Sequence, residues 1–289
     1  MMIEYENYVA ATSVAEATKT LAEGNATVVA GGTDLMVQTA ASGRGANTTL
    51  LNIRRISDLR GVALDGGRVT IGALTTITDL LTDGVVADAA SILADTANRF
   101  ASNQIRNMAT VGGNICNASP AGDMIIPLLV LDADVELSAW RDGAVTTRAV
   151  ALNEFFTGPG KCVKTEDELL TSISFNRPAE GFVGQFGKTG PRPALEISMV
   201  SVGVGGIVDN GGLTNARVVY GAVAPTPIRA AKTEAALEGL SLNEASIQSV
   251  LDVADSEVNP ISDVRASDWY RRHLVRVMTQ EVLQNVANG

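Results

Sequence analysis

Two short, side-chain-poor stretches hold the residues of this 289-residue chain best suited to gripping a ligand. The first is Ala30-Gly31-Gly32-Thr33-Asp34-Leu35, directly after the apolar Val28-Val29. The second is Thr110-Val111-Gly112-Gly113-Asn114-Ile115-Cys116-Asn117-Ala118-Ser119-Pro120-Ala121-Gly122-Asp123, ahead of an apolar run from Met124 to Leu131. A glycine pair lets a ligand approach the backbone closely, because no Cβ stands in the way. Thr110, Asn114, Asn117 and Ser119 add short hydrogen-bonding side chains. Two loops of bare amides suit an extended anionic group such as a dinucleotide pyrophosphate. Taken alone, each pair also reads as a tight turn after a strand.

Other chemistry is thin. No nucleophile–base pair stands out: Ser119 is followed by proline, and His273 is the single histidine. That absence fits a protein whose reactive atoms belong to a cofactor. Cys116 and Cys162 are too few for a disulfide framework or for an iron–sulfur cluster, which takes four ligands. One histidine also excludes a histidine-rich metal site. Gly203-Val204-Gly205-Gly206 looks like a dinucleotide fingerprint, but it lies in an alternating strand ahead of a hairpin and reads as structural. Arg271, Arg272 and Arg276 fall on a C-terminal helix. A solvated basic face is the default there, and an acidic partner surface is the alternative.

Composition narrows the class. Apolar residues make up 46% of the chain and charged residues 19%, without a long charge block, so a packed core is expected rather than disorder. A net charge of −10 argues against a nucleic-acid partner. It also means that a pyrophosphate must be held by local donors. No apolar run reaches the length of a membrane span. Met1-Met2-Ile3-Glu4-Tyr5 lacks the basic start and apolar core of a signal peptide, so a cytoplasmic protein is expected.

The elements that must position the two stretches follow from periodicity. Residues 13–23 space apolar positions as a helix does, with Ser13 and Glu16 placed for a capping box and Gly24-Asn25 ending it. Strands are expected at 27–30 and 49–53, with a helix starting at Leu35. Residues 62–73 read as a hairpin turned at Asp65-Gly66-Gly67. Thr75 or Thr76 caps the next helix, and 85–100 continues helical. A second hairpin turns at Arg141-Asp142-Gly143. Residues 169–175 alternate, placing Leu169, Thr171, Ile173 and Phe175 on one strand face. Arg177-Pro178-Ala179-Glu180-Gly181 breaks the pattern and divides the chain into domains at 1–176 and 177–289. Beyond it, strands at 184–188 and 196–208 lead through Asp209-Asn210-Gly211-Gly212 into another strand. Helices are expected at 228–237, 242–254 and 269–286. Strands followed by helices make this second domain α+β.

The two glycine stretches, with Asn103-Gln104-Ile105-Arg106-Asn107-Met108-Ala109 before the second and Asp268-Trp269-Tyr270-Arg271-Arg272-His273-Leu274 near the C-terminus, carry a resemblance over nearly the whole chain. It resembles the FAD-binding (medium) subunit of the molybdenum hydroxylase, or xanthine dehydrogenase, family. The resemblance implies an α+β protein. A PCMH-type (vanillyl-alcohol-oxidase-like) FAD-binding domain of two α/β subdomains would precede a C-terminal domain with a small antiparallel sheet and helices. One branch of the family inserts a loop with a cysteine-bound cluster, and this sequence has no such insert.

By the same resemblance, FAD would be contacted by Val29, Ala30, Gly31, Gly32, Thr33, Asp34 and Leu35, and by Ala109, Thr110, Val111, Gly112, Gly113, Asn114, Cys116 and Asn117. Phe100, Ile105, Leu169 and Leu170 would add apolar contacts. Asp123 would accept from a sugar or adenine-side hydroxyl, its other reading being a cap for the next helix. Lys188 matches a lysine near the flavin ring, where a cation stabilises the anionic reduced form. Its plain reading is a strand lysine facing water. Cys116 reads as a small buried hydrophobe rather than a redox centre. The molybdenum cofactor would sit on a large partner subunit and [2Fe–2S] clusters on a small one, in a dimer of heterotrimers. This chain would pass electrons to an external acceptor. Thr33-Asp34 after the first glycine pair matches the xanthine and N-heterocycle branches rather than carbon monoxide dehydrogenases, so an aromatic N-heterocycle is the expected substrate. A self-contained flavin oxidase or reductase and a flavin-free scaffold are the alternatives.

Overall fold

The computed structural model describes residues 5–42, 49–192, 196–209 and 211–288. The chain begins with β1 (Asn7–Ala10), α1 (Val14–Ala22), β2 (Ala26–Val29), α2 (Leu35–Ser42) and β3 (Thr49–Asn52). The strands pair in parallel in the order β1-β3-β2. Parallel neighbours need crossover connections, which α1 and α2 supply. Ser13 caps α1, its Oγ accepting from the Glu16 amide at 3.1 Å. The Glu16 carboxylate turns back to the Thr12 amide at 2.7 Å instead of to Ser13, so the expected box is displaced by one residue. Leu21, Leu51, Ile53, Ile56, Leu74 and Leu169 form a small core here.

The second unit runs through β4 (Val62–Asp65), β5 (Arg68–Gly72), α3 (Ile77–Thr82), α4 (Gly84–Ala89), α5 (Ser91–Asn98), α6 (Asn103–Arg106), α7 (Val111–Cys116) and α8 (Ile125–Val130). It continues with β6 (Asp134–Arg141), β7 (Ala144–Ala151), α9 (Leu152–Phe155), β8 (Phe156–Gly158), β9 (Lys161–Cys162) and β10 (Glu168–Asn176). Its main sheet is antiparallel, in the order β4-β5-β10-β6-β7. Both expected hairpins form, Asp65 pairing with Arg68 and Arg141 with Ala144. Thr76 caps α3 in a capping box with Asp79, while Thr75 donates to the Gly61 carbonyl at 3.0 Å. The helix expected over 85–100 is two helices, because Ala90 leaves helical geometry at φ −156° and ψ 57°.

A bulge decides the parity of β10. Its register against β6 shifts between Leu170 and Ser172. An extra residue in a strand moves everything beyond it to the opposite face. Leu169 therefore packs into the small first core, whereas Leu170, Ile173 and Phe175 pack into the second. The expected common face of Leu169 and Ile173 does not exist.

The third unit comprises β11 (Phe182–Thr189), β12 (Val200–Asp209), β13 (Gly212–Gly221), β14 (Ile228–Arg229), α10 (Ala231–Leu237), β15 (Leu240–Ser241), α11 (Glu244–Ser256) and α12 (Asp268–Asn288). The strands pair antiparallel as β11-β12-β13-β14, with β15 also on β13. The strand expected from Glu196 starts at Val200. Asp209 pairs with Gly212 across the expected turn, whose Asn210 lies outside the described residues. Val202 and Val204 face the core shared with α11 and α12. The glycines between them face α8. A Cβ on Gly203 would stand 2.7 Å from the Ile126 side chain, and one on Gly205 2.5 Å from Val130. The glycine run thus lets a helix of the second unit lie directly on this sheet.

The basic face expected on α12 is only partly solvated, and its arginines are engaged within the chain. Arg271 is buried, donating to the carbonyls of Met199 and Ala222 at 2.7 Å each and to Asp263 at 2.9 Å. Arg272 and Arg276 reach Asp255 and Asp252 of α11. These arginines fasten the helices to each other and to the sheet. Among the described residues, no helix is long and apolar enough to cross a membrane, and no cluster of metal-ligating side chains exists.

Candidate cofactor-binding cleft

The first glycine stretch links β2 to α2. Gly32 takes φ +73°, a region that strains any residue with a Cβ. The helical bonding of α2 begins with Met36 N to Gly32 O at 3.2 Å. Among the described residues, no acceptor meets the amides of Gly31, Gly32, Thr33 or Asp34. Four adjacent N–H groups at a helix start form a site for an anion.

The second stretch is not the loop of bare amides expected from its composition. It folds into α7, capped by Thr110, whose Oγ1 accepts from the Gly113 amide at 3.1 Å. Val111 N donates to Thr75 O, Gly112 N to Ala73 O and Asn114 N to Thr110 O, each at 3.0 Å. These amides are spent. Gly112 serves packing instead. A Cβ on Gly112 would stand 2.7 Å from the Ala73 Cβ and 2.8 Å from its carbonyl oxygen. A Cβ on Gly31 would run into the carbonyl oxygen of Met108, so the two stretches meet backbone to backbone.

Between them lies a cleft of about 440 Å³, within the range of ligand sites. Ala30, Gly31, Gly32, Thr33, Asp34 and Leu35 line one side. Ala109, Thr110, Gly112, Gly113, Asn114, Cys116 and Asn117 line the other, with Phe100, Leu169 and Leu170 completing the wall. The bulge that separates Leu169 from Leu170 in the cores lets both border the cleft. Five expected residues do not line it. Val29 ends β2, Val111 is fully buried in the core, and Ile105 is exposed on α6.

Asp123 and Lys188 are the other two. They form an ion pair at 2.8 Å with side chains only 9% and 5% exposed. Ser198 Oγ donates to the second Asp123 oxygen, also at 2.8 Å. Lys188 therefore does not face water, and Asp123 does not cap α8, which has no side-chain cap. Both Asp123 oxygens already hold donors. Burial pushes this carboxyl up, and the Lys188 ammonium and the Ser198 hydroxyl pull against it.

Several lining residues were not foreseen. Gln38 of α2 donates to Asn117 Oδ1 at 2.8 Å and ties the two stretches by side chains. Asn25, Thr27, Lys164, Glu166 and Glu168 also line the cleft. Lys164-Thr165-Glu166-Asp167-Glu168 reads as an ordinary charged loop, and nothing local in it signals a site. Glu168 is organised: Arg148 donates to it at 2.5 and 2.9 Å, and the Thr165 amide at 2.8 Å. The guanidinium holds its carboxyl well down, to about 2. Cys116 behaves as an inert thiol, pushed up to about 12 by burial although Lys164 acts against the shift.

The residues present fit FAD. The open amides suit a diphosphate, and Phe100, Leu169, Leu170 and Ala30 suit an aromatic ring. Asn114 Oδ1 is buried without a hydrogen-bond partner, which a native interior rarely tolerates unless a ligand or water supplies a donor. Among the described residues, Lys164 is the one cation in the wall, beside Asp34, Glu166 and Glu168. An anion here would therefore meet backbone dipoles more than side-chain charge.

Comparison with known proteins agrees. The family described as the FAD binding domain in molybdopterin dehydrogenase matches residues 3–178, and the CO dehydrogenase flavoprotein C-terminal domain matches 186–286. The chain is 33% identical to the xanthine dehydrogenase FAD-binding subunit of Escherichia coli O157:H7, covering 98% of this chain and 96% of that one. It is 32% identical to the glyceraldehyde dehydrogenase medium chain of Sulfolobus acidocaldarius, covering 97% and 98%. Among solved structures it is similar to a chain of carbon monoxide dehydrogenase from Hydrogenophaga pseudoflava, with a TM-score of 0.92, 27% identity and coverage of 99% and 98%. The chain belongs to the FAD-carrying medium subunits of the molybdenum hydroxylase family.

Proposed function

We propose that this chain takes electrons from the [2Fe–2S] clusters of a small partner subunit and passes them to an external acceptor. A separate large subunit with a molybdenum cofactor would hydroxylate the substrate, in a dimer of heterotrimers. Residues 1–176 hold the cofactor and 177–289 form the second domain. When bound, FAD supplies a ring that exchanges electrons singly or in pairs. The amides of Gly31, Gly32, Thr33 and Asp34 bind the diphosphate, and Thr33 adds its hydroxyl. Asn114 directs its free carbonyl oxygen at a donor of the cofactor. Phe100, Leu169 and Leu170 exclude water from the ring. An aromatic N-heterocycle is the substrate class, supported by Thr33-Asp34 and by likeness to a xanthine dehydrogenase subunit.

The observation that carries this reading is the row of open amides facing a cleft that also contains an orphaned amide oxygen. The test is to co-express the chain with the subunits encoded beside it and measure flavin, iron and molybdenum in the purified assembly. Equal flavin and large-subunit content, with reduction by an N-heterocycle, is expected. A colourless chain would sink the flavin assignment. A yellow chain that oxidises substrate alone would replace the subunit reading with a self-contained enzyme.

A further inference from the structure

Apart from Arg44, which lies outside the described residues, and Arg192, the arginines of this chain divide into two populations. Arg68, Arg141, Arg148, Arg177, Arg217, Arg229, Arg265, Arg271, Arg272 and Arg276 each have a carboxylate within ion-pair distance. Arg54, Arg55, Arg60, Arg99 and Arg106 have none among the described residues. In a chain of net charge −10, that segregation is not what scattered surface charge would give.

Contacts link the segments that carry Arg54, Arg60 and Arg106, and Arg55 and Arg99 are chain neighbours of those contacts. Arg60 donates to the Arg54 carbonyl at 2.9 Å, and Arg54 reaches the Met108 sulfur at 3.7 Å. Arg106, two residues before Met108, donates to the Phe100 carbonyl at 2.6 Å, next to Arg99. Arg54, Arg55, Arg60 and Arg99 are exposed. Asp58 lies among them in sequence but bonds Ser57, not an arginine. The cluster borders the cleft, since Phe100 lines it and the Met108 carbonyl abuts Gly31. Among the described residues, no arginine lines the cleft itself. Unpaired guanidiniums spread along an outer edge suit a protein face rather than a small anion, which needs a concave site.

We propose that this edge is the docking surface for an acidic face of the [2Fe–2S] subunit. Electron delivery requires that subunit to approach the cleft, and the unpaired positive charge lies on the cleft's border. The inference rests on the function proposed above.

The test uses the full chain bound to the purified [2Fe–2S] subunit. Raising salt from about 0.05 to about 0.5 M is expected to weaken binding about tenfold or more. Arg55→Glu/Arg99→Glu, two side chains with no hydrogen bond to lose, is expected to weaken it similarly and to flatten the salt dependence. Arg276→Glu, whose guanidinium already holds Asp252, is the control and is expected to bind normally. Salt-independent binding of the wild-type pair overturns the proposal, as does unchanged affinity in the double variant. Flavin content is read on every sample: a flavin-free wild type is failure of the parent reading, whereas a yellow double variant with normal iron recovery is failure of this one.

Discussion

The two glycine stretches are alike in composition and opposite in physical role. Ala30–Asp34 keeps its amides open and uses Gly32 for a left-handed turn, so it presents backbone to the cleft. Thr110–Asn114 is a capped helical turn whose amides are used internally. Its glycine at 112 exists so that α7 can press against the end of β5. One stretch offers a ligand what it leaves unbonded. The other creates the cleft by close packing and contributes a side chain, Asn114. A glycine pair therefore means either proximity to ligand or proximity to protein, and only the neighbours of the missing Cβ distinguish the two.

The largest expected effect lies at the anchor of the second stretch. Lys188→Met leaves Asp123 buried beside an apolar side chain, which costs about 3–5 kcal/mol for a broken buried pair. Urea unfolding reads it, and Asp123→Asn added to Lys188→Met should recover part of the loss. If the single variant is as stable as wild type, the pair is not the anchor.

Next comes the point where the stretches touch. Gly31→Ala forces a Cβ against the Met108 carbonyl, a backbone atom that cannot rotate away. A loss near the upper end of the ~1–3 kcal/mol typical of overpacking is expected, together with loss of bound flavin. Normal flavin absorbance and melting in this variant would undo the idea that the stretches meet.

The comparison sharpens within α7. Gly112→Ala meets Ala73 and should cost about 1–3 kcal/mol. Gly113→Ala meets only Thr110 Oγ1 at 2.8 Å, a rotatable hydroxyl. The helix propensity gained, about 1 kcal/mol, offsets a weakened cap of similar size, so near-neutral stability is expected. Equal losses at the two positions would contradict the division of roles.

The smallest effect is a pH dependence at the cleft's charged rim. Glu168 is held at about 2, below its ordinary carboxylate value. A lowered folded-state value contributes stability at pH above about 4.5 that is lost as pH falls toward 2. Arg148 is half exposed, so solvent screening reduces the contribution to about 1 kcal/mol. Unfolding free energies at pH 6 and pH 3 should therefore converge in Arg148→Gln relative to wild type. Parallel profiles would show that the pair is silent.

Much of the fold was legible because local rules and tertiary packing agree. The hairpins at Asp65–Arg68 and Arg141–Ala144 follow from two-residue turn chemistry, and α3 starts where Thr76 and Asp79 can cap it. The structural reading of Gly203-Val204-Gly205-Gly206 held, and its reason is α8 lying on that face. The misreadings share one cause. Leu169 and Ile173 part company because of a bulge set by pairing with β6. Arg271 is buried because Met199, Ala222 and Asp263, distant in sequence, converge on it. Each depends on a partner that periodicity cannot name.

The amino-acid sequence by itself determined where two side-chain-poor stretches border apolar segments and which family pattern the chain carries. Those features are local, and turn preference, residue type and spacing encode them. Tertiary structure alone decided which bend keeps free amides, that Asp123 and Lys188 satisfy each other away from the cleft wall, and that Gln38, Lys164 and Glu168 border it. An amide or a charge is available to a ligand only if no other part of the chain reaches it first, and that is a property of the folded neighbourhood rather than of the residue.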